Sequence, residues 1–233
     1  MLDIPKIKAI GLDLDDTLWP IWPTIERAEK QLQVWLLEHA PVTAAVFSDP
    51  LARLRLREHA VRLHPGIGHD MSALRRESIR LALEQSGEDT AFAEPAFEVF
   101  FEHRMRVDLF ADVLPSLQYL ARRFRLIAVS NGNADVVRVG LGAHFHASTS
   151  AHGVGFAKPD VRIFYAAAQA AGVRPDQVLH VGDDPVLDVL GGLDAGMQTV
   201  WVNRSAHVWQ HDAQPHASVT DLHELCDLLR AAE

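Results

Sequence analysis

Short apolar runs that stop at small or polar residues, with stretches of helical periodicity between them, constrain this chain most. Such runs occupy residues 8–14, 125–130, 177–182 and 199–203. Their centres, Ile127, Ala128 and Val129 or Val178, Leu179, His180 and Val181, do not alternate apolar with polar. A strand of that kind is covered on both faces, as in a parallel sheet. Between the runs, Val113, Leu117 and Leu120 share the spacing of one helix face. So do Ile163, Ala167 and Ala170, and then Val186, Val189 and Leu193. Strand and helix alternating through 111–203 predict βαβ units and an α/β fold, a doubly wound, Rossmann-like parallel sheet.

Residues 20–108 have a different texture. No strand pattern occurs there, and helical segments are predicted over 23–38, 51–63, 70–85 and 92–106. Pro23 suits the first turn of a helix, after which Ile25, Ala28, Leu32 and Trp35 line one side. Breaks are expected at Pro41, at Pro65-Gly66-Ile67-Gly68 and at Gly87. The prediction is an all-helical cap domain, 20–108, inserted into a core domain made of 1–19 and 109–233.

The residues richest in chemistry follow the first apolar run: Asp13-Leu14-Asp15-Asp16-Thr17. Alternation along an extended chain points Asp13 and Asp15 the same way at a strand's carboxyl end, where open α/β sheets bind ligands. Crowded carboxylates repel, and a hard, oxygen-seeking cation such as Mg²⁺ relieves that conflict. A carboxylate so placed can attack phosphorus to give an aspartyl-phosphate. A second one, two residues on, can protonate the leaving oxygen and then deprotonate water. The same residues would also serve a plain strand-to-helix turn with Asp16 or Thr17 as N-cap.

Three further clusters sit at predicted strand ends or loops. Ser130-Asn131-Gly132-Asn133 offers a hydroxyl and backbone N–H groups that could hold phosphate oxygens, or could simply form a turn. Lys158 precedes Pro159 and Asp160, a plausible helix start, and could neutralise a nucleophile and a phosphoryl group or lie in solvent. Gly182-Asp183-Asp184, with Asp188 further on, ends an apolar strand in carboxylates. That again calls for a cation unless it is only a capped helix start.

In this order, the four stretches resemble the four motifs of the haloacid dehalogenase superfamily, from residue 7 to about 202. An all-helical cap just after the first strand is also a trait of that superfamily. The resemblance implies Asp13 as nucleophile and Asp15 as general acid/base. It implies a Mg²⁺ ion held by Asp13, the backbone carbonyl of Asp15, and Asp183. Ser130, with Asn131 and Gly132, would bind the phosphoryl group, and Lys158 would neutralise charge. Asp184 would reach the ion through water, and Asp188 would orient groups behind the site or Lys158.

The superfamily also holds dehalogenases, phosphonatases and phosphomutases. Dehalogenases need neither the acid two residues after the nucleophile nor the metal, so Asp15 and the acidic group Asp183, Asp184 and Asp188 favour phosphoryl chemistry. Mutases usually carry Gly-Val where this chain has Asp16-Thr17. Phosphonatases need a cap lysine, and residues 31–107 contain none. A phosphatase acting on a phosphomonoester fits best. The alternatives are a 2-haloacid dehalogenase or a non-catalytic binding protein on the same fold. Stretches 13–18, 130–133 and 181–189, with His152-Gly153, Lys158-Pro159 and Gly196-Met197-Gln198, further resemble bacterial phosphatases of flavin mononucleotide (FMN) and of ribitylamino-pyrimidine phosphate. Arg76, Arg104 and His152 are candidate substrate contacts, although helix arginines more often form solvated or salt-bridged faces.

Charge and composition narrow the partners. A net charge of −9 disfavours nucleic acid and anionic membrane surfaces, which need a basic footprint. The expected partner is a small phosphorylated metabolite, and the expected assembly a monomer or weak homodimer. Cys226 is the single cysteine, in the apolar run Leu222, Leu225, Cys226 and Leu229, so no internal disulfide can form. No stretch approaches the ~20 apolar residues of a membrane span, and the expected location is cytoplasmic.

Overall fold

In the structure, a computed structural model describing residues 1–231, the chain divides into two compact units. One is Met1–Pro20 with the chain from Asp108 onward, and the other is Ile21–Val107. The first unit is built on β1 (Ala9–Leu12), β2 (Arg125–Ser130), β3 (Ala147–Ser150), β4 (Val178–Gly182), β5 (Gln198–Val202) and β6 (Ala217–Val219). All neighbouring strands are parallel, in the order β3-β2-β1-β4-β5-β6.

β1, β4 and β5 are buried at every position, as their unbroken apolar character requires. β1 lies between β2 and β4, with Leu12 in register with Ala128 and Val181. The strand order reverses there, which opens a crevice at the carboxyl ends of β1, β2 and β4. The motif residues follow those three strands. Two strands, β3 and β6, are not predicted from the sequence. β3 reads Ala-Ser-Thr-Ser and β6 only Ala-Ser-Val, neither with an apolar run to detect.

The second unit comprises α1 (Ile21–His39), α2 (Pro41–Phe47), α3 (Pro50–Leu63), α4 (Met71–Ser86) and α5 (Ala93–Arg104). Thr24, Ala28, Leu32 and Leu36 form the buried stripe of α1, and the last three join Phe47, Ile79, Phe97 and Phe100 in a core of the unit's own. Asp70 caps α4 by accepting from Ser72 and Ala73 N–H, both at 3.0 Å, and Gly87 ends it at φ +69°. The helical pattern breaks before Pro41 as expected, with α1 ending at His39, and Pro41 then occupies the first turn of a further helix, α2. The carboxylate of Glu88 accepts from the Val42 and Thr43 N–H groups there.

The first unit's helices are α6 (Val113–Leu120), α7 (Ala151–Val154), α8 (Val161–Ala171), α9 (Gly191–Asp194) and α10 (Leu222–Arg230). Cys226 is buried in α10 with Leu222, Leu225 and Leu229. Among the described residues no helix is long and apolar enough to cross a membrane.

Candidate active site

Asp13 directly follows β1, and its backbone N–H donates to the Val181 carbonyl at 2.9 Å, so the sheet still fixes its backbone. Its side chain is nearly inaccessible and meets Lys158, whose Nζ donates to Asp13 Oδ1 at 2.5 Å and to Asp188 Oδ1 at 2.7 Å. Burial alone would depress the lysine's pKa. The Asp13 and Asp188 carboxylates outweigh it and hold the ammonium charged. Burial opposes ionisation of Asp188 too, but Lys158 and His180 keep its pKa at about 2.

One ammonium does not compensate the remaining acids. Burial, reinforced by Asp188 and Asp183, pushes Asp13 well above the usual carboxylate range despite Lys158. Burial, then Asp188 and Asp16, raises Asp183 to about 7. Asp13, Asp183 and Asp188 bring carboxylate oxygens within 4.8 Å of one another. Asp188 is already engaged: Oδ1 accepts from Lys158 and from His180 Nε2 at 2.9 Å, and Oδ2 from the Asp184 N–H at 3.2 Å. Capacity for a cation is therefore left on Asp13 and Asp183, which the Thr17 hydroxyl also contacts at 3.4 and 3.2 Å. Hard oxygen donors whose charge is under-compensated fit a divalent metal ion.

Asp15 lies on the turn beyond Asp13. Trp19, fully buried, donates its indole N–H to Asp15 Oδ1 at 2.8 Å, and its carbonyl accepts from the Asp16 N–H at 2.7 Å. Asp16 closes this turn at φ +58°, a conformation that aspartate tolerates better than most residues. A second indole holds the Asp183 backbone: Trp201 Nε1–H donates to the Asp183 carbonyl at 2.7 Å. Arg204 adds a further tie by donating to the Thr17 carbonyl at 2.9 Å while pairing with Asp112.

Ser130, buried at the end of β2, accepts from the Gly132 N–H at 2.9 Å. The Asn131 side chain turns to the Lys158 backbone. Its Nδ2 donates to the Lys158 carbonyl at 2.9 Å, and its Oδ1 accepts from the Lys158 N–H at 2.6 Å. Asn131 thus locks two motif loops together. Asp184 is an N-cap, with Oδ1 accepting from Val186 and Leu187 N–H at 2.7 and 2.8 Å. It starts a π-helical turn, Pro185–Leu190, that turns Asp188 back over Gly182. A Cβ on Gly182 would lie 2.2 Å from Asp188 Cγ, so only glycine fits beneath that carboxylate.

The substrate candidates belong to both units. Arg76 pairs with Glu94 at 2.9 Å and lies over the Phe97 ring, all within the helical unit. Arg104 is buried in α5, and His152 is exposed in α7. Sequence reasoning did not find the roles of Trp19, Trp201, Arg204 or His180. A buried indole or imidazole looks like core until its polar atom is traced to a partner.

Residues 7–196 match the family of haloacid dehalogenase-like hydrolases. The chain is 33% identical over 233 residues to the 5-amino-6-(5-phospho-D-ribitylamino)uracil phosphatase YigB of Escherichia coli, covering 96% of this chain and 97% of that protein. It is 36% identical over 261 residues to a phosphoserine phosphatase of Thermus thermophilus, covering 94% and 98%. Among solved structures, the 2-haloacid dehalogenase from Pseudomonas syringae pv. Tomato superposes with a TM-score of 0.92 at 37% identity, covering 97% of this chain and all of that one. The chain belongs to the haloacid dehalogenase-like hydrolases. Its class within them is that of the phosphatases, enzymes that hydrolyse phosphoric monoesters.

Proposed function

We propose that the protein is a Mg²⁺-dependent phosphatase of a small phosphorylated metabolite, working in the cytoplasm through an aspartyl-phosphate on Asp13. One observation carries this reading: the buried Asp13 and the half-buried Asp183 remain under-compensated beside a lysine that Asp13 shares with Asp188. Asp13, Asp183 and the Asp15 backbone carbonyl would hold the ion. When bound, Mg²⁺ would offset negative charge between nucleophile and phosphate. Asp13 attacks phosphorus in line with the departing ester oxygen, which takes a proton from Asp15. Asp15 then removes a proton from the water that attacks the phosphorus, and Asp13 is released with inorganic phosphate. Lys158 and the Ser130 hydroxyl steady the phosphoryl oxygens through both steps.

The likeness to YigB supports a substrate with a ribityl chain and a pyrimidine-type ring, the ribitylamino-pyrimidine phosphate or FMN. The likeness to the Pseudomonas syringae protein favours a second reading, 2-haloacid dehalogenation, in which Asp13 would attack carbon and displace halide. That chemistry leaves the excess of buried carboxylates unexplained.

The test is phosphate release from a panel of phosphomonoesters that includes FMN, with Mg²⁺ and with chelator, run beside halide release from a 2-haloacid. Mg²⁺-dependent phosphate release that Asp13→Asn abolishes is the expected result. Halide release indifferent to chelator would establish the second reading. Equal turnover of FMN and sugar phosphates would remove the flavin assignment.

A further inference from the structure

His180 lies in the middle of β4, almost wholly buried, yet its Nε2 is 2.9 Å from Asp188 Oδ1, the same oxygen that accepts from Lys158. We propose that His180 is a positioning residue for phosphoryl transfer, acting on Asp13 through Asp188 and Lys158; this rests on the phosphatase reading above. Because Asp188 accepts, the imidazole must donate from Nε2, and Nδ1 is left as a buried acceptor with no partner. An orphaned nitrogen in the core is unfavourable, and an aliphatic side chain would fill the strand position without one. The Nε2–H bond to Asp188 is what an imidazole adds there.

The surroundings are shaped for that ring. A Cβ on Gly11 of β1 would lie 2.9 Å from His180 Nδ1, so the neighbouring strand gives way by having no side chain at that point. Phe164 of α8 meets the ring edge-on, with centroids 4.9 Å apart. Gly192 of α9 packs alongside: a Cβ there would be in ordinary contact with His180 Cβ at 3.5 Å, but would stand only 2.8 Å from Thr199 Cγ2 of β5. The imidazole therefore has little room to turn. Its N–H fixes the Asp188 oxygen from beneath while the Asp184 N–H holds the other oxygen. The result is a relay in a fixed order, His180, Asp188, Lys158, Asp13, that sets where the ammonium sits against the nucleophile.

Kinetics of His180→Leu, His180→Gln and His180→Asn on p-nitrophenyl phosphate with Mg²⁺ test this, with melting temperatures alongside. Glutamine can place an N–H near the position of Nε2, whereas the shorter asparagine cannot reach Asp188. His180→Leu and His180→Asn are expected to lower kcat at least tenfold with KM within about twofold of wild type. His180→Gln should stay within about threefold in kcat. If leucine does not fold, the contrast between glutamine and asparagine decides alone. Wild-type kcat in the asparagine variant, or equal loss in both amide variants, would overturn the proposal while leaving the phosphatase reading intact. A wild-type protein that releases no phosphate would overturn both.

Discussion

The indole N–H of Trp19 donates to Oδ1 of Asp15 at 2.8 Å, from a ring with no exposed surface. The residue expected to move protons is therefore held by a group that cannot itself titrate or swing away. A hydrogen bond to a charged acceptor contributes about 1.5–3 kcal/mol. Trp19→Phe keeps most of the ring and removes only the donor. Its kcat should fall about tenfold for an alkyl phosphate, whose leaving oxygen needs a proton, on the scale that such a bond sets. The effect should be much smaller for p-nitrophenyl phosphate, whose leaving group departs unaided. Equal losses on the two substrates would show that Trp19 only packs.

Asn131 makes two hydrogen bonds to the Lys158 backbone, and their polarity is fixed because one is donated and one accepted. Asn131→Ala should destabilise the protein by about 1–3 kcal/mol and lower kcat through the displaced lysine. Asn131→Asp should be worse, since it sets a carboxylate oxygen against the Lys158 carbonyl. Denaturant unfolding ranks the two variants. A milder effect for aspartate would mean that this contact does not form in solution.

These contacts mark the limit of what the sequence revealed. Asp13, Lys158 and Asp183 could be read because each stands next to a strand end or helix start that its own neighbours announce. β2 is visible from Arg125–Ser130 alone, since its residues after Arg125 are buried and mostly apolar. The backbone N–H groups around Asn131 are legible as phosphate donors, but the partner of its side chain is 27 residues away and no local pattern points to it. α2 was hidden for a similar reason, because its first turn is satisfied by Glu88, from 45 or more residues further along. The π-helical turn at Pro185–Leu190 has ordinary helical spacing in Val186 and Val189, and only the fit of Asp188 over Gly182 betrays it.

That fit makes Gly182 a sharp probe. A methyl group there would stand 2.2 Å from Asp188 Cγ and 2.4 Å from Oδ2, so the carboxylate would have to leave both Lys158 and His180. Gly182→Ala should cost stability by about 1–3 kcal/mol, as overpacking does, and should lower kcat at least as much as loss of Asp188 itself. Gly66→Ala is the control, because nothing lies within 4 Å of a Cβ at that site. If both variants melt and turn over alike, the π-helical turn relaxes freely and Asp188 is not pinned as described.

Asp183 connects protons, metal and stability. Its pKa is raised to about 7 from an ordinary 3.8, first by burial and then by Asp188 and Asp16. A carboxyl raised in this way favours the folded state while protonated. Its contribution is full below about pH 3.8 and is lost as the pH climbs through 7. Asp13 is shifted in the same direction. Metal-free protein should therefore lose stability between pH 4 and about 7. Mg²⁺ should restore it, because the ion takes the place of the missing protons. At a hundred times its dissociation constant a ligand stabilises by about 2.7 kcal/mol. The melting temperature should rise with Mg²⁺ by several degrees at pH 8 and hardly at pH 5. In Asp183→Asn, the rise at pH 8 should largely disappear. An equal rise at both pH values, or one that survives the substitution, would place the cation away from Asp183.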